Sequence, residues 1–83
     1  MEFHRSAFKH RVPKHSILHA LARPLVVVDL DRAADVPRVL AIGPDPAGNL
    51  LEIVWLELAD ERMLVIHAMP PRASFRKLLP EGD

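Results

Sequence analysis

The stretch LLEIVWLEL at residues 50–58 is apolar on both faces of an extended chain, which is typical of a central β-strand covered on both sides. A loop rich in Gly, Pro, Asp and Asn precedes it at residues 43–49 and predicts a hairpin connection. Further strands are predicted over residues 25–30, 36–42 and 62–69. Because short loops join the successive strands, we expect them to be antiparallel neighbours.

Helical segments are expected on either side of these strands. A short turn at residues 6–10, with Ser6 as its N-cap, is followed by Pro13, which suits the first turn of a helix over residues 14–22. A proline pair ends the last strand, and residues 73–79 predict a short closing helix. The predicted fold is therefore α+β, with N-terminal helices, a four-stranded antiparallel sheet and a short C-terminal helix.

The length and composition limit what the chain can be. Its 83 residues are the length of one domain, which we take as residues 1–83. Hydrophobic residues make up 49% and aromatic residues 5%, so the core must be aliphatic and small, and help from a partner or a second copy is expected. The lack of cysteine excludes disulfides and thiolate metal sites and favours the cytoplasm. Residues 1–6 lack the apolar run of a signal peptide, and no apolar run is long enough to span a bilayer.

The charges are unevenly distributed along the chain, although the formal net charge is zero. Residues 1–28 and 62–83 are rich in Lys, Arg or His, whereas residues 29–61 hold most of the acids. If the two ends of the chain meet, they form a basic face on an otherwise acidic protein, which points to an anionic ligand. Charge alone supports ordinary solvated faces equally well.

Several kinds of site lack support in the sequence. His15 and His19 have the spacing of two zinc ligands on a helix, but no third ligand accompanies them, and such a pair more often lies on a solvated helix flank. The chain has no glycine-rich nucleotide motif and no nucleophile elbow around Ser6 or Ser16. We therefore expect neither a metal nor a cofactor.

The remaining side chains with useful chemistry lie toward the two ends of the chain. Lys9 and His10 follow the first predicted turn, and His67 lies near the end of the fourth predicted strand. Arg72 and Arg76 come after that strand. Cleavage of RNA by attack of the neighbouring 2′-hydroxyl needs a base, an acid and cations on the phosphate, which His, Arg and Lys supply. Spacing alone instead favours a half-buried structural histidine at His67, because apolar residues alternate around it.

Several strings along the chain resemble those of one protein family. They are SAFKHRV (6–12) with ILHA (17–20), RVLAIGPD (38–45), AGNLLEI (47–53) and VIHAMPPR (65–72). Their order and spacing are similar to those of BrnT-like toxins of type II toxin–antitoxin systems, in the RelE/ParE superfamily, and the match runs from Ser6 to Leu79. The resemblance implies a RelE-like fold, metal-independent ribonuclease activity and a cognate antitoxin that covers the toxin.

Carried over position by position, the functional residues of that family fall on Lys9, His10, Arg38, His67 and Arg72. The chain departs from the family at Arg11, where a glycine is usual, and at residues 13–15, where acids are usual. Both departures make the N-terminal corner of the protein more basic.

From these observations we predict a cytoplasmic, toxin-type endoribonuclease that cleaves RNA without a metal. The predicted catalytic residues are His10, His67 and Arg72, and the predicted substrate-binding residues are Lys9, Arg38 and Arg76. The expected partners are the RNA substrate and a cognate antitoxin, in a homodimer or a toxin–antitoxin hetero-oligomer, with no membrane.

Two other classes of function stay open. A catalytically silent module of the same fold would bind an antitoxin-like partner, because the predicted strand at residues 25–30 is an exposed edge that invites strand addition. A basic RNA-binding protein without cleavage would need aromatic side chains interleaved with the basic ones. The aromatic residues of this chain are scattered instead, at Phe3, Phe8, Trp55 and Phe75.

Overall fold

Five strands form the frame of the molecule. The structure, a computed structural model that describes residues 1–80, places them at β1 (Glu2–Phe3), β2 (Val26–Asp31), β3 (Arg38–Pro44), β4 (Leu50–Glu57) and β5 (Met63–Met69). Their spatial order is β1-β5-β4-β3-β2, so the apolar stretch that begins at residue 50 lies in the middle of the sheet. β1 runs parallel to β5, and the other neighbouring strands are antiparallel.

One main helix covers one face of this sheet. α1 (Lys14–Ala22) forms over the residues where the sequence predicts a helix, and it packs against β3 and β4. The larger apolar cluster lies at this interface, and its buried members include Ile17, Ala20, Val39, Ile53 and Val65. The approach of helix and sheet is close at Gly43, where a Cβ atom would collide with the carbonyl oxygen of Ala20. Every helix within residues 1–80 falls short of the length and apolar character needed to cross a membrane.

The prediction of N-terminal helices and a four-stranded antiparallel, RelE-like sheet is wrong. The additional strand is β1, which pairs with β5 through Glu2↔Leu64 and Phe3↔Val65 and makes the sheet mixed. A strand of two residues is too short to show alternation in the sequence. Contacts with distant residues hold it in place, since the Arg62 guanidinium donates two hydrogen bonds of 2.7 Å to the Glu2 carboxylate.

The first predicted helical turn also differs from the prediction. Residues Arg5–Phe8 form a single 3-10 turn, which leaves α1 as the main helix. Ser6 is not its N-cap, because the Nδ1 atom of His4 accepts the N–H of Ser6 at 3.1 Å. The Ser6 hydroxyl instead donates to the carbonyl of Ile66 at 2.6 Å and so attaches the turn to β5. The closing helix α2 (Ala73–Arg76) is shorter than the predicted range.

The face of the sheet opposite α1 carries a smaller apolar cluster. Leu40, Ile42 and Val54 form its buried centre, and Phe75 and Leu79, which follow β5 in the chain, pack against it. Only short segments cover this face, in contrast to the helix-covered side. The His67 side chain, which is 22% exposed, also lies on this face.

An irregularity in β5 decides which side chains reach that face. Val54 pairs with His67, but Trp55 pairs with Val65, so Ile66 is an extra residue in the ladder. Ile66 and His67 consequently lie on the same side of the sheet, together with Val54. Without the extra residue, strict alternation would place Ile66 and His67 on opposite faces.

Candidate functional site

The candidate site is organised around Glu52, a fully buried carboxylate near the start of β4. Its Oε2 atom accepts a hydrogen bond from Nε2 of His67 at 2.8 Å. The Arg72 guanidinium contacts the same oxygen through Nε at 3.0 Å and Nη2 at 2.8 Å. The backbone N–H of Arg72 donates to the other oxygen, Oε1, at 2.7 Å. One carboxylate therefore holds both an imidazole and a guanidinium.

These contacts set the protonation state of the carboxylate. Burial by itself raises the pKa of Glu52, but the hydrogen bonds from the Arg72 guanidinium, the Arg72 backbone and His67 outweigh burial and hold that pKa below its ordinary value. Glu52 is therefore ionised at neutral pH and can only accept hydrogen bonds. It follows that Nε2 of His67 carries a proton, and Nδ1 is the ring nitrogen left for other partners.

The local sequence explains how Arg72 reaches Glu52. Pro70 and Pro71 follow β5, and they cannot continue a strand ladder because proline lacks the N–H group. Arg72 is extended and is the N-cap residue of α2. Its guanidinium lies 4.9 Å from the ring centre of Phe75, one turn further along. The proline break, the ion pair and the aromatic contact together fix the direction of this side chain.

An open cleft of about 470 Å³ lies over these residues. We call it the His67 cleft, and its lining residues are Leu30, Arg38, Val54, Ile66, His67, Arg72 and Phe75. Arg38 begins β3 and is exposed, whereas the His67 side chain is 22% exposed and the Arg72 side chain 52%. The cleft therefore combines two guanidinium groups and one imidazole with an apolar wall.

A second imidazole comes from the other end of the chain. The ring of His10 lies 5.7 Å from the ring of His67, measured between centroids, with the planes at 80°. His10 follows the 3-10 turn and is exposed. The next residue, Arg11, has φ = 63°, the left-handed conformation that favours glycine. Arg11 is therefore left-handed at the position where glycine is usual in the toxins that the sequence resembles.

A second open cleft, of about 460 Å³, adjoins the first. We call it the Ser16 cleft, and its lining residues include His10, Arg11, Ser16, Asn49, Leu51 and Arg76. His10 belongs to this cleft and also touches His67, so the imidazole pair stands between the two clefts.

Most of the residues predicted as site residues come together in space. Arg38, His67 and Arg72 line the His67 cleft, and His10 stands at its border. Arg76 lines the Ser16 cleft instead, where its Nε donates to the Pro71 carbonyl at 3.3 Å. Lys9 is exposed and lines neither cleft.

Glu52 is the residue that the sequence analysis missed. The pattern at residues 50–58 predicts a strand that is apolar on both faces, and Glu52 is the charged residue inside this strand. A carboxylate in a strand buried on both sides must find donors, since an unpaired buried charge is strongly destabilising. A charged residue inside a predicted central strand therefore indicates a buried side chain with hydrogen-bond partners, and this feature of the sequence could have identified Glu52.

The histidine pair considered for zinc does not assemble a site. Nδ1 of His19 hydrogen bonds with the Pro44 carbonyl at 2.8 Å, and His15 is exposed. Within the part of the chain that the structure describes, no three His, Asp or Glu side chains are grouped so that they could hold a metal ion.

Comparison with protein-family models, with curated proteins and with solved structures finds no match for this chain. The resemblance to the BrnT-like toxins therefore stays a prediction. What the geometry offers chemically is proton transfer by two neighbouring imidazoles and binding of an anion by Arg38 and Arg72.

Proposed function

We propose that this protein is a metal-independent endoribonuclease of the toxin type, which cleaves single-stranded RNA in the His67 cleft. One observation carries the proposal: the buried Glu52 carboxylate holds His67 and Arg72 at an open cleft, with the His10 ring 5.7 Å from His67. Two imidazoles beside guanidinium groups are the side chains that this chemistry requires. The toxin role and the antitoxin partner rest on the resemblance of the sequence strings alone.

The proposed reaction is a transesterification of the phosphodiester. One imidazole removes the proton from the 2′-hydroxyl, the 2′-oxygen forms a bond to phosphorus, and the bond from phosphorus to the 5′-oxygen breaks. The other imidazole gives a proton to the departing 5′-oxygen. The products are a 2′,3′-cyclic phosphate and a 5′-hydroxyl. His10 and His67 share the base and acid roles.

The arginines act on the charge that develops on the phosphate. Arg38 and Arg72 line the same cleft, and a guanidinium matches two phosphate oxygens in a fixed fork. Glu52 would not touch the RNA, because it is fully buried. It is a positioning residue, which keeps Nε2 of His67 occupied and directs Nδ1 and the Arg72 guanidinium.

Alanine substitutions test the assignment. We expect His67→Ala to lower the rate of cleavage of single-stranded RNA by about 10²–10⁴-fold, because a proton-transfer group is removed. Arg72→Ala is expected to lower it by about 10²–10³-fold through loss of charge stabilisation. Arg32→Ala is the matched control, since Arg32 is an exposed arginine that lines neither cleft. Folding of each variant is checked by circular dichroism, and wild-type rates in folded His67→Ala would sink the assignment.

A second candidate function, from a different class, is a catalytically silent module that binds an antitoxin-like protein. The observation that favours it is β2, which lies at one end of the sheet order and, within residues 1–80, pairs with β3 alone. Leu25 is 53% exposed and Val27 51% exposed on this edge. An unpaired edge with apolar side chains is suited to adding a strand from another chain.

A further inference from the structure

The Ser16 cleft lies next to the proposed catalytic residues but is not used by them. Its walls come from the start of α1, the loop between β3 and β4, and the segment after β5. Its volume of about 460 Å³ is in the range of small-molecule sites. Because His10 lines this cleft and touches His67, a ligand in the Ser16 cleft would be adjacent to the bond that is cleaved.

The start of α1 forms one wall of this cleft, through Pro13 and Ser16. The N-cap residue is Pro13, which has no side-chain cap, and the first turn of the helix contains no acid. The backbone N–H of Ser16 already donates to the Pro13 carbonyl at 3.0 Å, but the helix dipole places partial positive charge at this end of α1. Pro13 and Ser16 line the cleft, so this partial positive charge lies at its wall.

Ser16 is a second and independent feature of this wall. The residue is only 7% exposed, and it lines the cleft. Within residues 1–80 its hydroxyl makes no side-chain hydrogen bond. The hydroxyl is not completely enclosed by protein atoms, so it faces the cleft that Ser16 lines. A buried hydroxyl without a protein partner is free to donate to a ligand.

Cations complete the arrangement. Arg11 and Arg76 line the cleft together with His10. The acid at this cleft, Asp45, is already engaged, because its Oδ1 accepts the backbone N–H groups of Ala47 at 3.0 Å and Asn49 at 2.8 Å. Guanidinium groups, a hydroxyl and the positive end of a helix dipole favour binding of a phosphate group.

We propose that the Ser16 cleft is a second nucleotide subsite, which binds the phosphate of the nucleotide adjacent to the cleaved bond. In this arrangement the RNA passes over the imidazole pair, with one nucleotide in the His67 cleft and its neighbour in the Ser16 cleft. The proposal rests on the proposed function for its substrate, but nucleotide binding in the cleft does not require cleavage.

The experiment is a titration of the 15N-labelled protein with a nucleoside monophosphate and, separately, with the same nucleoside without phosphate. We expect the monophosphate to shift the amide signals of Lys14, His15 and Ser16, and the free nucleoside to leave them in place. Arg76→Gln is expected to weaken monophosphate binding about tenfold. Lys77→Gln, which removes the same charge from an adjacent position outside both clefts, is expected to leave binding unchanged. Ser16→Ala is expected to weaken binding as well.

The outcomes separate this inference from the proposed function. Signal shifts at the start of α1 that need the phosphate and decrease in Arg76→Gln support the subsite, even if the protein cleaves no RNA. Equal effects of nucleoside and monophosphate, shifts confined to another surface, or equal losses in Arg76→Gln and Lys77→Gln would overturn it. If RNA is cleaved but the monophosphate does not bind at α1, the subsite fails and the proposed function stands.

Discussion

The proposed site depends on one residue, the carboxylate of Glu52 inside a central strand. Glu52 is fully buried, and its two oxygens accept four hydrogen bonds or ion-pair contacts from His67 and Arg72. A buried ion pair is a poor way to gain stability, because replacing it with apolar residues is often neutral or stabilising. An arrangement of this kind therefore points to a function for the side chains that the carboxylate holds.

The pH dependence of stability tests the state of Glu52. In the unfolded chain Glu52 takes up a proton at its ordinary pKa of 4.5, whereas in the folded chain the pKa of Glu52 is lower. The stability that Glu52 contributes is therefore complete above the unfolded pKa of 4.5, and it is lost as the pH falls through the lower pKa of the folded state. We expect the free energy of unfolding of the wild type, from urea titrations, to decline more steeply below pH 4.5 than that of Glu52→Gln.

The control for this measurement lies on the same strand. Glu57 is exposed, so Glu57→Gln is expected to keep the wild-type slope below pH 4.5. At pH 7 Glu52→Gln is expected to be less stable than the wild type by about 2 kcal/mol, because hydrogen bonds to a charged group are lost. Equal acid slopes for Glu52→Gln and the wild type would contradict the ionised, hydrogen-bonded state of Glu52.

At the scale of the element, the sequence predicts the long segments well and the short ones poorly. α1 and the central position of β4 follow from helical spacing and from an apolar run, signals that extend over many residues. The two residues of β1 and the extra residue Ile66 in β5 carry no such signal, since both are set by pairing with distant residues. The approach of His10, Arg38, His67 and Arg72 could be predicted only through the resemblance, because nothing in their spacing brings them together.

The edge strand β2 is the element at which a partner protein is expected to bind. If the protein binds an antitoxin-like partner by strand addition, Val27→Lys should weaken the complex at least tenfold, because a charged side chain on an edge opposes pairing. Val36→Lys is the control, since Val36 is 42% exposed but lies outside the strands. The measurement is isothermal titration calorimetry. Equal affinities for the two variants would exclude β2 as the binding edge.

At the scale of the whole molecule, the two basic ends of the chain meet. His10 and Arg11 from the N-terminal part lie beside Arg72 and Arg76 from the C-terminal part, around two adjoining clefts. Arg38 adds a further cation from the middle of the chain. A protein with a formal net charge of zero thereby gathers arginines from distant parts of the chain around these clefts, an arrangement that suits the RNA substrate proposed above.

The most direct measurement of the central claim is an analysis of RNA products. Single-stranded RNA is incubated with the purified wild-type protein in excess EDTA, with His67→Ala in parallel, and the ends of the fragments are identified by mass spectrometry. We expect fragments with 2′,3′-cyclic phosphate and 5′-hydroxyl ends from the wild type, and intact RNA from His67→Ala. Intact RNA with the folded wild-type protein, or fragments with 3′-hydroxyl and 5′-phosphate ends, would contradict it.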